Sequence, residues 1–219
     1  MTIRIVLADD HSVVRNGLRT FLAYDADLEV VGEAADGAEA LRLAHELTPD
    51  VVLMDLLMPG MDGIQATAAI RRDLPETEVL ALTSVLEDAL VVGAVRAGAI
   101  GYLLKDTQAG ELCRAIKAAA AGQVQLTPKA AERLMQAIST PVSLDALTDR
   151  ETDVLRLLAR GYSNKQIAES LNNTEKTIKT HVSRILSKLG VQSRTQATLY
   201  AIRTGLVSPS AAPQSVEAE

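Results

Sequence analysis

Five residues in the first half of the chain carry groups that could act together: Asp9, Asp10, Asp55, Thr83 and Lys105. Short apolar runs lead into them: IRIVLA before Asp9, VVLM before Asp55, VLAL before Thr83 and YLL before Lys105. Apolar runs of this length, bounded by turn signals, read as buried strands of a parallel sheet. The carboxyl ends of such strands lie together, and open α/β sheets place their chemistry there. Clustered carboxylates with no cation repel and raise one another's pKa values. A divalent metal resolves this, and oxygen ligands with retained waters favour Mg²⁺ over zinc. One carboxylate is then free to attack an electrophile, while a hydroxyl and an ammonium hold the incoming oxygens. The chemistry is phosphoryl transfer to an aspartate nucleophile. Asp55, the acid between VVLM and a Met-Pro-Gly turn, is the candidate nucleophile.

The elements that must position these groups alternate regularly. Strands are expected at 3–8, 28–33, 50–55, 78–82 and 100–104. Helices are expected at 12–24, 38–47, 63–73, 87–96 and 109–121, with Gly98 as a C-cap. Five strands alternating with five helices imply an α/β doubly wound, five-stranded parallel sheet over residues 1–122. Residues 123–145 carry two prolines and read as a linker with a short helix from Pro128 to Ile138. From 146 to 207 only helical signals remain, which makes a small all-α four-helix domain with starts near 149, 164, 175 and 194. Thr148 with Glu151, Ser163 with Gln166, and Ser193 with Gln196 have the spacing of capping boxes. Thr174 is a plausible N-cap without the returning acid. Residues 208–219, SPSAAPQSVEAE, read as a disordered tail.

Bulk composition narrows the function classes. The chain has 219 residues, 47% hydrophobic, with 2% aromatics and one cysteine. One cysteine excludes an intramolecular disulfide framework and a Cys-rich zinc site. No stretch approaches the roughly 18 uninterrupted apolar residues of a membrane span, and MTIRIVLADD lacks a signal-peptide pattern. A cytoplasmic protein without membrane partners is expected. The net charge of -6 hides an asymmetry. Residues 1–125 hold ten Lys and Arg against nineteen Asp and Glu, whereas 163–203 hold seven basic residues opposed by Glu169 and Glu175. An acidic front and a basic back suggest two domains with different partners.

The basic half has its own constellation. Two helices, 164–170 and 175–188, are joined by LNNT. On the second, Ile178, Val182, Ile185, Leu186 and Leu189 mark one apolar face. The other side carries Lys176, Lys179, Thr180, Ser183, Ser187 and Lys188. That suits a helix in the major groove, cations meeting phosphates and short polar groups meeting base edges. A solvated amphipathic helix in a bundle would show the same stripe. His181 could contact phosphate or cap helix packing. Cys113 reads as packing, and His11 and His45 have no matching ligands for a transition-metal site.

Asp9-Asp10, Asp55 followed by MPGMDG, Thr83-Ser84, and GYLLK ending at Lys105 make residues 1–122 resemble the receiver domain of bacterial two-component response regulators. The resemblance implies that Asp55 is phosphorylated by a sensor histidine kinase. It implies Mg²⁺ held by Asp10, Asp55 and the backbone carbonyl of Leu57, with Asp9 acting through water. Thr83, Ser84 and Lys105 would bind the phosphoryl group or carry the switch, and Tyr102 would move inward on activation. LTDRETDVLRLLARGYSNKQIAESL and TIKTHVSRILSKLGVQSRTQA resemble the LuxR-type helix-turn-helix domain, and the whole chain is similar to the NarL/FixJ family. This implies DNA contacts from Ser163, Asn164, Lys165, Lys176, Thr177, Lys179, Thr180, His181, Ser183, Arg184 and Lys188. It implies dimerisation through the last helix, with Val191, Ser193, Arg194, Gln196, Ala197 and Tyr200. Asn173 departs from the aliphatic residue usual in the family before the recognition-helix cap.

The expected protein is a phosphorylation-controlled regulator of transcription, dimeric when active, that reads inverted-repeat half-sites in double-stranded DNA. It is not an enzyme beyond its own phosphotransfer and slow dephosphorylation. Two other classes remain open. A Mg²⁺-dependent phosphohydrolase would want a second acid two residues after the nucleophile, where this chain has Leu57. A ligand-sensing regulator would want an aromatic-lined pocket, and the chain has one Phe and no Trp. Leu57 and Val85, two after Asp55 and Thr83, cannot hold an attacking water, so slow loss of phosphate is expected.

Overall fold

The computed structural model describes residues 2–84, 88–124, 147–191 and 193–207. Five strands, β1 (Ile3–Ala8), β2 (Leu28–Ala34), β3 (Val51–Asp55), β4 (Glu78–Thr83) and β5 (Gly101–Leu104), form one sheet in the order β2-β1-β3-β4-β5. All pairings are parallel. The helices between them are α1 (Ser12–Leu22), α2 (Gly37–Leu47), α3 (Gly63–Asp73), α4 (Asp88–Ala97) and α5 (Ala109–Ala120). The strand bounds match the expected runs to within a residue, and α1 stops two residues short of its expected end.

Both faces of the sheet are covered, which explains why β3 is apolar at every position before Asp55. Val51 and Leu53 join Ile5, Leu7, Leu80 and the α5 residues Leu112 and Ile116 on one side. Val52 and Met54 join Val6, Ala8, Ala40, Ala66 and Ile70 on the other. With so few aromatics, small residues let the helices lie close to the sheet: Ala40, Ala44 and Ala66 are fully buried.

The second domain contains α6 (Asp149–Ala159), α7 (Asn164–Ser170), α8 (Glu175–Leu189) and α9 (Arg194–Arg203). Thr148–Glu151 and Ser163–Gln166 form complete capping boxes, and Thr174 accepts from the Thr177 amide. Ser193 caps α9 by accepting from Gln196 N. The α7–α8 turn places Asn172 at φ 51, a backbone region Asn tolerates. Asn173 is exposed, and its side chain accepts from Thr174 N at 2.9 Å. No aliphatic packing is needed there, so the departure leaves the turn intact. The core gathers Val154, Leu155, Leu158, Ile167, Ile178, Ile185, Leu189, Ala197 and Tyr200.

The helix α9 is buried on nearly every side, because a second body covers the face its own domain leaves open. Leu199 sits in a cluster with Leu56, Ala81, Val91, Ala94, Val95 and Tyr102 of the sheet domain. Its first turn meets the end of α4, whose last carbonyls lack partners within that helix. Thr195 Oγ1 donates to Ala99 O at 3.1 Å and Ile100 O at 3.2 Å. Gln196 Nε2 donates to Val95 O at 3.1 Å and Arg96 O at 3.3 Å, and Ser193 Oγ to Val95 O at 3.4 Å. The N-terminus of one helix meets the C-terminus of another, an arrangement favoured by both dipoles. The expected helix at 128–138 and the tail lie outside the described residues.

Candidate functional site

The strand order reverses direction between β1 and β3, the switch point at which open α/β sheets bind ligands. Asp9 and Asp10 leave β1 there, and Asp55 ends β3. Asp55 and Asp9 are 2% and 1% exposed, whereas Asp10 faces solvent. Lys105, following β5, reaches between the two buried acids. Its Nζ lies 2.7 Å from Asp55 Oδ2 and 2.6 Å from Asp9 Oδ2. Asp55 Oδ1 accepts from Leu57 N at 3.2 Å. Thr83 is buried at the end of β4, and its carbonyl accepts from Lys105 N at 2.8 Å, while Ser84 is exposed.

The loop after β3 returns so closely that only glycine fits at position 63. A Cβ there would fall 1.9 Å from Asp55 O. Gly60 has φ +74 and makes the turn. The two glycines of MPGMDG thus do different jobs: one reverses the chain, the other brings α3 against the Asp55 backbone. Asp62 caps α3 by accepting from Gln65 N at 2.7 Å.

Burial pushes the Asp55 carboxyl above its ordinary pKa, opposed by the Lys105 ammonium and the Leu57 amide. For Lys105, burial opposes the charge, but the Asp55 and Asp9 carboxylates outweigh it and hold the ammonium firmly protonated. Three carboxylates against one ammonium leave a surplus of negative charge, and the ligand atoms of Asp9, Asp10, His11 and Asp55 all lie within 4.8 Å of one another. An oxygen-rich, negative, partly enclosed pocket fits a divalent cation. Leu57 stands beside it with 52% of its surface exposed. Val85 lies outside the described residues.

The second constellation sits on α8. Lys176, Lys179, Thr180, Ser183, Arg184 and Lys188 are exposed, and Ile178, Ile185 and Leu189 are buried, as the stripe requires. Thr177 is half-buried, and its hydroxyl lies 2.8 Å from that of Thr174. His181 is half-buried with Nδ1 sequestered. This exposed face borders the sheet domain at one point. Lys179 Nζ lies 2.5 Å from Glu76 Oε2, across a cleft of about 790 Å³ lined by Glu76, Glu175, Lys176, Lys179, Thr180, Ser183 and Arg184. Lys188 is engaged within its own domain, 2.6 Å from Glu151 Oε2. That ammonium and the Thr148 amide lower the Glu151 carboxyl to about 2.

The start of α7 is also covered. Asn164 Oδ1 accepts from Arg194 Nη1 at 2.8 Å, and a Cβ at Gly122 of the sheet domain would meet the Asn164 amide at 3.4 Å. Ser163 is buried and Lys165 exposed. Arg194 also donates to Tyr162 O. Its enclosure lowers the guanidinium to about 10, which leaves it charged near neutrality. Of the expected dimer residues, Ser193, Arg194, Gln196, Ala197 and Tyr200 are buried and Val191 half-buried. The pairing of Glu76 with Lys179, that of Glu151 with Lys188, and the contacts of Thr195 and Leu199 with the sheet domain were not foreseen. Only Glu151 carried a signal, as the returning acid of a capping box.

Residues 5–117 match the family described as response regulator receiver domain, and residues 145–201 match bacterial regulatory proteins, luxR family. The chain is 49% identical over 210 residues to the transcriptional regulatory protein LiaR of Bacillus subtilis, covering 94% of this chain and all of that one. Among solved structures it resembles the response regulator ChrA of a heme-sensing two-component system. The identity is 42% and the TM-score 0.53, over 94% of this chain and 99% of ChrA. It also resembles RcsB in a structure of two dimers bound to two parallel DNAs, with 28% identity and a TM-score of 0.56, over 93% and 99% of the chains. This chain belongs to the NarL/FixJ family of two-component response regulators, transcriptional regulators in which a receiver domain precedes a LuxR-type helix-turn-helix domain.

Proposed function

We propose that Asp55 accepts a phosphoryl group from a sensor histidine kinase, and that this converts a closed form into a DNA-binding dimer. The observation that carries the reading is the placement of Lys105 between Asp55 and Asp9. An Asp55 oxygen attacks phosphorus, the bond to the donor imidazole breaks, and the imidazole leaves with the electron pair. Asp10, Asp55 and the Leu57 carbonyl would hold Mg²⁺ directly and Asp9 through water; when bound, the ion neutralises charge on the transferring group. Thr83 and Lys105 hold the phosphoryl oxygens, and Lys105 exchanges its Asp55 contact for them.

The closed form occupies both output surfaces. Lys179, a candidate base reader, is paired with Glu76, and the candidate dimer helix α9 packs against α4 and Tyr102. Movement of Tyr102 on phosphorylation disturbs its contact with Leu199 and releases α9. Free α9 pairs with a second copy, and the two α8 helices then read an inverted repeat. RcsB dimers on DNA support that assembly. The protein is placed in the cytoplasm, where kinase and promoter are both accessible. Labelling with acetyl phosphate, followed by sedimentation with and without operator-like DNA, tests the reading. The expected result is stoichiometric label on Asp55 and a monomer-to-dimer shift. Label elsewhere, or none, overturns it.

A further inference from the structure

The turn at Asp36-Gly37 does more than start a helix. Gly37 is the first residue of α2, so its amide has no acceptor within the helix. It donates instead to Met61 O at 3.1 Å, a carbonyl of the loop that follows Asp55. The approach is too close for any other residue. A Cβ at position 37 would fall 2.4 Å from Met61 O, and 3.1 Å from both Asp62 O and Ala66 Cβ. Asp36 fixes the approach by capping α2, its carboxylate accepting from Glu39 N at 2.8 Å. One and two turns further on, Ala40 and Ala44 are fully buried against the sheet.

The same loop orients the nucleophile. Leu57 N donates to Asp55 Oδ1 at 3.2 Å, while Lys105 holds the other oxygen, Oδ2, at 2.7 Å. The loop has little freedom to absorb a push. At its far end Gly63 N donates to Leu56 O at 3.1 Å, and α3 lies against the Asp55 backbone. Met58 is buried and Met61 half-buried in the cluster that holds Ala40 and Ala66. With α2 and α3 both packed on the sheet, a displacement at Met61 O passes along residues 56–62 toward Leu57 N.

We infer that Gly37 is a positioning residue for phosphoryl transfer: the amide and the missing Cβ of the first α2 residue set the loop that aims the Asp55 carboxylate. Gly37 touches no reacting atom and acts through Met61 O and Leu57 N. This role rests on the proposed phosphorylation of Asp55, and it brings a second strand–helix junction, between β2 and α2, into the control of its rate. Attack geometry tolerates little error, because a misplacement of about 1 Å can cost about 100-fold in rate.

The test measures labelling of the full chain by acetyl phosphate at saturating Mg²⁺ over a range of donor concentrations. The temperature is one at which circular dichroism shows each protein fully folded. Gly37→Ala should lower the maximal labelling rate by about 10- to 100-fold and leave the half-saturating donor concentration within about 2-fold. Deuterium exchange at the Leu57 amide should quicken in parallel. Gly17→Ala is the control, since a Cβ at that glycine meets nothing within 4 Å, and it should match the parent. Asp36→Ala adds no bulk and only loosens the capped turn, so its maximal rate should fall by about 2- to 5-fold. Parental maximal rates in Gly37→Ala overturn the role of Gly37, as do parental rates in Asp36→Ala should Gly37→Ala not fold. A loss confined to the half-saturating concentration overturns it too. An unlabelled parent would instead overturn the phosphoacceptor reading, which separates the two.

Discussion

The pocket at Asp55 and the basic face of α8 are both charged sites held by one opposite charge, yet they are built differently. At the pocket the acids are enclosed, negative charge is in excess, and Lys105 is fixed between two partners. On α8 the cations are exposed, positive charge is in excess, and Lys179 meets a single exposed acid, Glu76. The buried site responds to geometry, because a misplaced charge there has no water to relieve it. The exposed site is open to competition, because water and salt screen a single exposed ion pair. The helix α9 lies between the two sites, sharing one buried cluster with Tyr102 and another with α8.

The largest effects should come from the enclosed site. Asp55→Asn is expected to abolish labelling by acetyl phosphate and to leave DNA affinity unresponsive to the donor. Lys105→Ala should behave differently. It leaves Asp55 able to react but removes the ammonium that senses the new oxygens, so label accumulates without a rise in DNA affinity. A Lys105→Ala protein that still dimerises on labelling would place the coupling elsewhere. At the exposed site a single change should be partial. Lys179→Ala is expected to weaken specific binding by about 1–3 kcal/mol if it reads a base edge. Equal losses on specific and random DNA in a gel-shift titration would make it a phosphate contact.

The same contrast decides what the sequence could reveal. The pocket was legible because each residue follows its own apolar run, and a parallel sheet brings strand ends together without further information. Asp9, Asp10, Asp55 and Lys105 therefore converge as expected, and Gly63 explains the tight loop. The two complete capping boxes were equally local. Contacts between the domains were not legible. Thr195 looks like any polar residue in a first helical turn, and nothing near it predicts that Ala99 O and Ile100 O are its acceptors. Glu76 sits between a proline and a strand with no pattern at all, so its pairing with Lys179, 103 positions away, needs the assembled molecule.

Removing the mask should have a smaller effect, opposite in sign. Glu76→Gln takes away the carboxylate that competes with DNA for Lys179 while keeping the side chain's shape. An exposed pair of this kind is worth roughly 0–1 kcal/mol. Resting DNA affinity should rise by about 2- to 5-fold in the unphosphorylated protein, and the phosphorylated protein should be unaffected. An equal rise in both forms would mean that Glu76 repels DNA from outside the closed arrangement.

The smallest effect on DNA binding is expected at Lys188, which shares the basic stripe but not its freedom. Its ammonium is committed to Glu151, which is 4% exposed and closes the Thr148 capping box. Lys188→Ala should therefore change the salt dependence of DNA binding far less than Lys165→Ala, because it releases few counterions. Its consequence is stability. The Lys188 ammonium and the Thr148 amide hold the folded Glu151 pKa at about 2, below the ordinary 4.5. A depressed carboxylate contributes stability that is complete above its unfolded pKa and is lost as pH falls through the folded value. Glu151→Gln should lower the unfolding midpoint of the helical domain by an amount equivalent to about 1–2 kcal/mol at pH 7, through loss of a charge-assisted bond and a weakened cap. The gap between parent and variant should stay constant from pH 7 to about 5, then close as the parent takes up its proton. Circular dichroism melts at several pH values measure this directly. A gap that stays the same down to pH 2 would mean that Glu151 acts by shape alone. Lys188 would then be available to DNA, and the two charged sites would differ less than the structure indicates.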